Sequence, residues 1–308
     1  MTALVRRTLG KVRSWLTRGV DARLADQLVL SGKLHARYVR ALPYPPPATR
    51  ERLRECEFKV FSQRGEDGVI QYLVARVPIL HRTFIEFGVE DYREANTRFL
   101  LADGDWQGLV LDGSAAHVER IRRDDVHWRH DLQVRQAFVT RENIDLLLAE
   151  AGFAADVGLL SIDIDGNDYW VWEAITAVRP RIVVCEVNAI LGREPVSVPY
   201  APDFRRMAAH ASGLYFGASL AALEHLAQRK GYVLVGCESS GSNAFFVRSD
   251  LAVAGLAISA EDAYLESHVR QSRNASGELT FVRGAARRAL ISHLPVVDVT
   301  TGRTRPLG

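Results

Sequence analysis

Along most of the chain, short unbroken apolar runs alternate with segments in which apolar residues recur every three or four positions. The runs predict buried strands at 82–90, 108–114, 134–139, from 159 onward, and at 181–189, 232–238 and 243–249. The periodic segments predict helices at 62–77, 93–104, 115–123, 141–152, 168–178 and 220–230. Ser62, Thr140 and Ser219 read as helix entries, and Gly104 and Gly231 as stops. Strand and helix in alternation imply an α/β fold, a mainly parallel sheet with helices on both faces. The last two runs flank the turn SSGS and predict a hairpin that adds an antiparallel edge strand. Residues 190–218 show no clear period; a loop that long reads as a lid over a site or, equally, as a surface loop with one packed tyrosine.

Two flanks differ from this pattern. Residues 1–20 are basic, without an acid, and Val5, Leu9, Val12, Leu16 and Val20 recur at helical spacing. They read as a helical strap on the protein's own domain or, less favoured, as a helix on an anionic membrane surface. A second helical pattern covers 21–41, and the prolines of LPYPPPAT at 42–49 forbid helix there. The expected division is a helical N-terminal extension with linker at 1–49, a main domain at 50–255 and a C-terminal extension at 256–308. That last part carries Arg270, Arg273, Arg283, Arg287 and Arg288 without readable periodicity, which suits an interface, a homo-oligomer included.

Composition narrows the class. The 308 residues are 47% hydrophobic and 25% charged, ordinary for a globular protein, and a net charge of +2 gives no footprint for nucleic acid. Cys56, Cys185 and Cys237 are scattered, so they read as buried reduced thiols rather than a disulfide or zinc framework. With no long apolar span or signal peptide, a cytoplasmic location is expected, peripheral at a membrane if the basic helix binds one.

The chemistry gathers where strands end. Glu86 with Gly88, Asp112, Asp163 with Asp165, and Glu186 with Asn188 close four successive strands. In such sheets ligands bind outside the carboxyl ends of strands, near the reversal of strand order. Asp112 suits the ribose hydroxyls of a nucleotide-like cofactor, or it caps the helix that follows. Asp163, Asp165, Glu186 and Asn188 offer hard oxygens for magnesium or manganese, or they cap helices and loops. The stretch 190–218 adds Tyr200, Arg205, Arg206, His210 and Tyr215, an aromatic and basic set suited to a sugar or anionic acceptor. No Ser-His-Asp order or activated Cys suggests a hydrolase, and GVEDYR lacks the glycine pattern of a NAD site.

The ordered segments FIEFGVEDYREANTRFLL, GLVLDGS, LLSIDIDGNDYW, RIVVCEVNA and GYVLVGCESSGSNAFFV resemble class I S-adenosylmethionine-dependent methyltransferases of the FkbM type over roughly 60–250. The resemblance implies a seven-stranded Rossmann-like methyltransferase sheet and O-methylation of a sugar or hydroxylated small molecule. It places Glu86 and Gly88 in the cofactor loop, Asp112 with Gly113 and Ser114 at the ribose, and Asp163 beside the methyl donor. Asp163, Asp165 or His210 would take the acceptor proton, or a cation on Asp163, Asp165, Glu186 and Asn188 would ease its loss. One departure stands out. Glu90 and Tyr92 occupy positions where such proteins usually carry further glycines; side chains there are expected to crowd the methionine part, and Glu90 and Asp91 either to repel its carboxylate or to hold its ammonium group. The alternatives are a metal-dependent glycosyltransferase using Asp163-x-Asp165, and a methyltransferase-like scaffold without catalysis.

Overall fold

The structure, a computed structural model, describes residues 3–42, 50–252 and 254–308. The proline-rich linker after Leu42 lies outside the described residues, as do the side chains at 3–19 on which the membrane-surface reading depends. The backbone there belongs to one continuous helix, Ala3–Ala41, rather than two. Its C-terminal turns pack on the main domain, where Ala36 is buried with Val60 and Phe99. Among the described residues, no helix is long and apolar enough to cross a membrane.

The strands are β1 (Thr83–Phe87), β2 (Gln107–Asp112), β3 (Leu132–Gln136), β4 (Leu159–Ile162), β5 (Ile182–Glu186), β6 (Val196–Ser197), β7 (Tyr232–Cys237), β8 (Asn243–Arg248), β9 (Pro295–Asp298) and β10 (Thr304–Pro306). Seven of them form one sheet in the order β3-β2-β1-β4-β5-β8-β7. β1 to β5 pair in parallel, and β8 runs antiparallel to both β5 and β7. The hairpin therefore forms as expected, but its antiparallel strand lies inside the sheet and β7 takes the edge. Side chains alternate across the sheet because successive residues of a strand face opposite sides. Ile85, Leu109, Leu160 and Val183 pack into one core, and Phe84, Val110, Leu159 and Val184 into the other. Both faces are thus dry, which explains why the strands read as unbroken apolar runs.

Several boundaries moved for local reasons. The first helix of the main domain is Glu66–Val74, not 62–77, because Ser62 pairs with Asp67 instead of starting the helix. The second is only Arg98–Asp103, since residues 95–97 fold back over the end of β1. A short helix at Asp125–Arg129, capped by the Asp124 side chain, had no apolar period to betray it. The helix expected from Thr140 starts at Ile144, because Thr140 N donates to Asn143 Oδ1 at 2.8 Å. Ser219 and Gly231 do bound Leu220–Lys230, the glycine at φ 78°.

The C-terminal extension is not an appendage. β9 pairs antiparallel with β10 and with β6, which belongs to the stretch read as a lid. Leu191, Val196, Leu214, Tyr215, Ile291 and Val296 share a small core of their own. The segment 190–218 is therefore a packed lobe built jointly with the tail, containing the helix Arg206–Ala209.

Candidate active site

Sheet order reverses between β1 and β4, and there the carboxyl ends of β2, β1, β4 and β5 open into a cavity of about 720 Å3. The chain leaves β1 through Gly88, at φ 73°, where a Cβ would stand 1.6 Å from the Asp163 carbonyl oxygen. Only glycine lets these two strand ends approach so closely. Glu90 and Tyr92 follow at φ 48° and 61°. The loop thus keeps a left-handed course at the positions where glycine is usual, at roughly 1–2 kcal/mol for each L-residue held there. Tyr92 does not crowd the cavity, contrary to expectation: its ring is fully buried and its hydroxyl meets Thr97 Oγ1 at 2.8 Å. Glu90 does line the cavity.

Glu86 is buried and committed to the chain itself. Its carboxylate accepts from Asn96 N at 2.9 Å, Thr97 N at 3.1 Å, Thr97 Oγ1 at 2.5 Å and Ser161 Oγ at 3.3 Å. Burial pushes its carboxyl up, and these bonds hold it back. Its evident work is to clamp residues 96–97 over β1. Asp112 accepts from Glu90 N and Ser114 N, both at 2.8 Å, with His117 Nδ1 at 3.2 Å. It ties the β1 and β2 loops together and still lines the cavity with Gly113 and Ser114. The Ser114 side chain caps the next helix by accepting from His117 N.

The second half of the cavity is acidic. Asp163, Asp165 and Glu186 each bring an oxygen within 4.8 Å of the others'. Asp165 does so from a left-handed backbone, φ 57°, the kind of strain that collects at functional sites. Burial, then Asp168 and Asp165, push the Asp163 carboxyl well up. Burial, then Asp163, do the same to Glu186. Glu186 Oε2 is buried with no hydrogen-bond partner. The cation in reach is Arg206, with Nη1 at 2.6 Å from Asp165 Oδ1 and 3.9 Å from Glu186 Oε1, its guanidinium 3.6 Å over the Phe216 ring.

Other candidates take supporting places. Asn188 is spent on structure: Nδ2 donates to the Leu214 and Phe216 carbonyls at 2.9 Å, and Oδ1 accepts from Ile190 N at 3.1 Å. Asp168 closes the turn after β4, accepting from Ile164 N and Gly166 N, and burial raises its pKa to about 6. His210 stands off the cavity wall, its Nδ1 2.7 Å from Ser212 Oγ; burial and His293 lower its pKa. Tyr215 is a core residue of the small lobe, and Tyr200 bonds to Glu142. Residues that strand-end reasoning missed include Asn96, Phe138 and, from the C-terminal extension, Ser267, Gln271, Arg273 and Arg287. The arginines were visible in the sequence as basic residues, but nothing local tied them to the site.

A reversal between β1 and β4, with an antiparallel strand inserted beside β5, defines the architecture. The fold is a Rossmann-like α/β sheet of seven strands, mainly parallel, as the sequence led one to expect. No protein-family model matches the chain, and no curated protein matches its sequence. Among solved structures it is similar to the O-methyltransferase from Bacillus cereus in complex with SAH, at 14% identity, covering 71% of this chain and 97% of that one with a TM-score of 0.38. The N-terminal domain of EvdMO1 with SAH bound gives 13% identity over 64% of this chain and 93% of that one, at TM-score 0.41. The CurJ carbon methyltransferase gives 10% identity over 77% and 69%, at TM-score 0.39. At these values the likeness adds nothing to what the sheet order itself conveys.

Proposed function

We propose that this protein transfers a methyl group from S-adenosylmethionine to a hydroxyl oxygen of a small molecule. The observation that carries the reading is the convergence of Gly88, Asp112, Asp163 and Glu186, from four adjacent strand ends, on one cavity at the reversal of strand order. S-adenosylmethionine supplies a methyl group already activated by its sulfonium charge. Asp112 would accept from the ribose hydroxyls, beside the backbone of Gly113 and Ser114. The left-handed loop 88–92 would pass close to the cofactor, with Tyr92 turned away into the core.

The chain's own task is then to orient the acceptor oxygen and receive its proton. As the oxygen–carbon bond forms and the carbon–sulfur bond breaks, Asp163 is suited to take that proton, because burial and its acidic neighbours raise its proton affinity. The set also fits a divalent cation such as Mg2+ or Mn2+: three hard carboxylates lie within reach of one ion, and Glu186 Oε2 lacks a partner. An ion held there would favour the ionised hydroxyl. The FkbM-like order of segments favours a sugar or hydroxylated natural product as acceptor, and Arg205 and Phe216 of the lobe line the cavity it would enter.

The test is a calorimetric titration of the full chain with S-adenosylhomocysteine and, separately, with UDP-glucose plus manganese. Saturable binding of the first alone is expected. Binding of the second alone would favour a glycosyltransferase, and binding of neither a scaffold.

A further inference from the structure

Among the described residues three arginines are buried: Arg181, Arg248 and Arg287, at 4%, 7% and 6% exposure. The first two are matched by carboxylates. Arg181 pairs with Asp156, and Arg248 with Asp156 and Asp250. Arg287 has no such partner among the described residues. Its Nη1 donates to the Ser267 carbonyl at 3.1 Å, and its buried Nε has no hydrogen-bond partner. Glu266 attracts it electrostatically without forming an ion pair, and Arg206 repels it. A guanidinium stays charged at any pH a protein tolerates, so an unmatched buried one is expensive to keep unless something arrives to match it.

Arg287 and Arg273 line the same cavity as Asp163, Asp165 and Glu186. Arg273 is half-buried, and its segment is pinned to the small lobe by Arg273 N donating to the Ser212 carbonyl at 3.2 Å. Asp165 is already matched by Arg206, so it does not supply the negative charge the other two lack. The cavity therefore has an acidic part at the strand ends and a cationic wall supplied by the C-terminal extension.

We propose that the acceptor carries an oxyanion, a carboxylate or a phosphate ester, which Arg287 and Arg273 bind while a hydroxyl of the same molecule reaches Asp163. This deepens the methyltransferase reading and rests on it for the role of the bound molecule as acceptor. A planar guanidinium fork matches both oxyanions, and either would complete Arg287 where the chain does not.

The experiment measures binding of D-glucuronate, glucose 6-phosphate and D-glucose to the full chain at low ionic strength, with and without S-adenosylhomocysteine. At least one anionic sugar should bind about tenfold more tightly than glucose, the scale of a charge-assisted contact. Which of the two binds better identifies the oxyanion. R287Q should lose the preference, and R283Q, at an exposed position off the cavity, should keep it. R273Q is run beside R287Q because its position is less buried, and it too should show a reduced preference. Equal binding of neutral and anionic sugars, no binding of any of the three, or a preference intact in both R287Q and R273Q overturns the proposal. Affinity for S-adenosylhomocysteine is read in the same samples. An anion preference without that affinity keeps the anion site and removes the methyltransferase reading, and the converse result does the reverse.

Discussion

Arg206 donates from Nη1 to Asp165 Oδ1 at 2.6 Å, across 41 positions of sequence. The bond sets a cation beside Asp163, Asp165 and Glu186, the place a metal ion would occupy. Arg206 and a divalent ion should therefore compete. In Arg206→Gln, added magnesium or manganese should raise the melting temperature more than in the wild type. Equal shifts in the two proteins would mean that the acids do not hold an ion.

Asp163 separates three roles. Asp163→Asn should cut turnover by ~10²-fold or more if the carboxylate receives the proton or holds the ion. Chelation divides those two: loss of wild-type activity that added cation restores assigns an ion, and no change assigns the base. Activity per folded molecule surviving in a destabilised Asp163→Asn protein would remove Asp163 from the chemistry.

Asp112 joins two loops and faces the cavity, so an alanine there would confuse loop damage with lost binding. Asp112→Asn keeps one acceptor oxygen and removes the charge. It should weaken S-adenosylhomocysteine binding by about 1.5–3 kcal/mol, the range for hydrogen bonds to a charged group. Titration calorimetry on the folded variant is the check, and unchanged affinity would take Asp112 out of the site.

Stability should carry a trace of Asp67. Its Oδ2 accepts from Val60 N, Phe61 N, Ser62 N and Ser62 Oγ, while Oδ1 is buried without a partner. Burial raises its pKa from 3.8 to about 6. Between those values the folded chain binds the proton more tightly than the unfolded one, so the burden of the buried charge is full above pH 6 and fades as the pH falls toward 4. Asp67→Asn should therefore gain stability relative to the wild type at pH 7, on the order of 1–3 kcal/mol, and that gain should shrink on acidification. Denaturant unfolding at both pH values measures the difference. A gain independent of pH would place the effect elsewhere.

Much of the core was legible because its signals are local. Unbroken apolar runs located β1, β2, β4, β5, β7 and β8, since each strand is covered on both faces. Ser219 and Gly231 marked a helix by chemistry confined to its own ends. β3 came two residues early, because only two of its five residues, Leu132 and Val134, are apolar and buried. Residues 95–97 could not be read as a fold-back, because what draws them there is Glu86, a buried acid whose donors come from the chain around it.

The sequence by itself determined the alternation of strand and helix, and with it the acids at the carboxyl ends of four strands. Periodicity and capping act within a few residues and survive any arrangement of the whole. Tertiary structure decided which of those strand-end groups the fold itself takes up and which it leaves unmatched at the cavity. Glu86 and Asn188 are taken up by backbone groups, while Glu186 keeps a buried oxygen without a partner. It also decided that the tail completes the site, because β9 pairs with β6 and brings Arg287 to the cavity wall. Such contacts join segments about a hundred residues apart, and their energy depends on burial and pairing that no local pattern encodes.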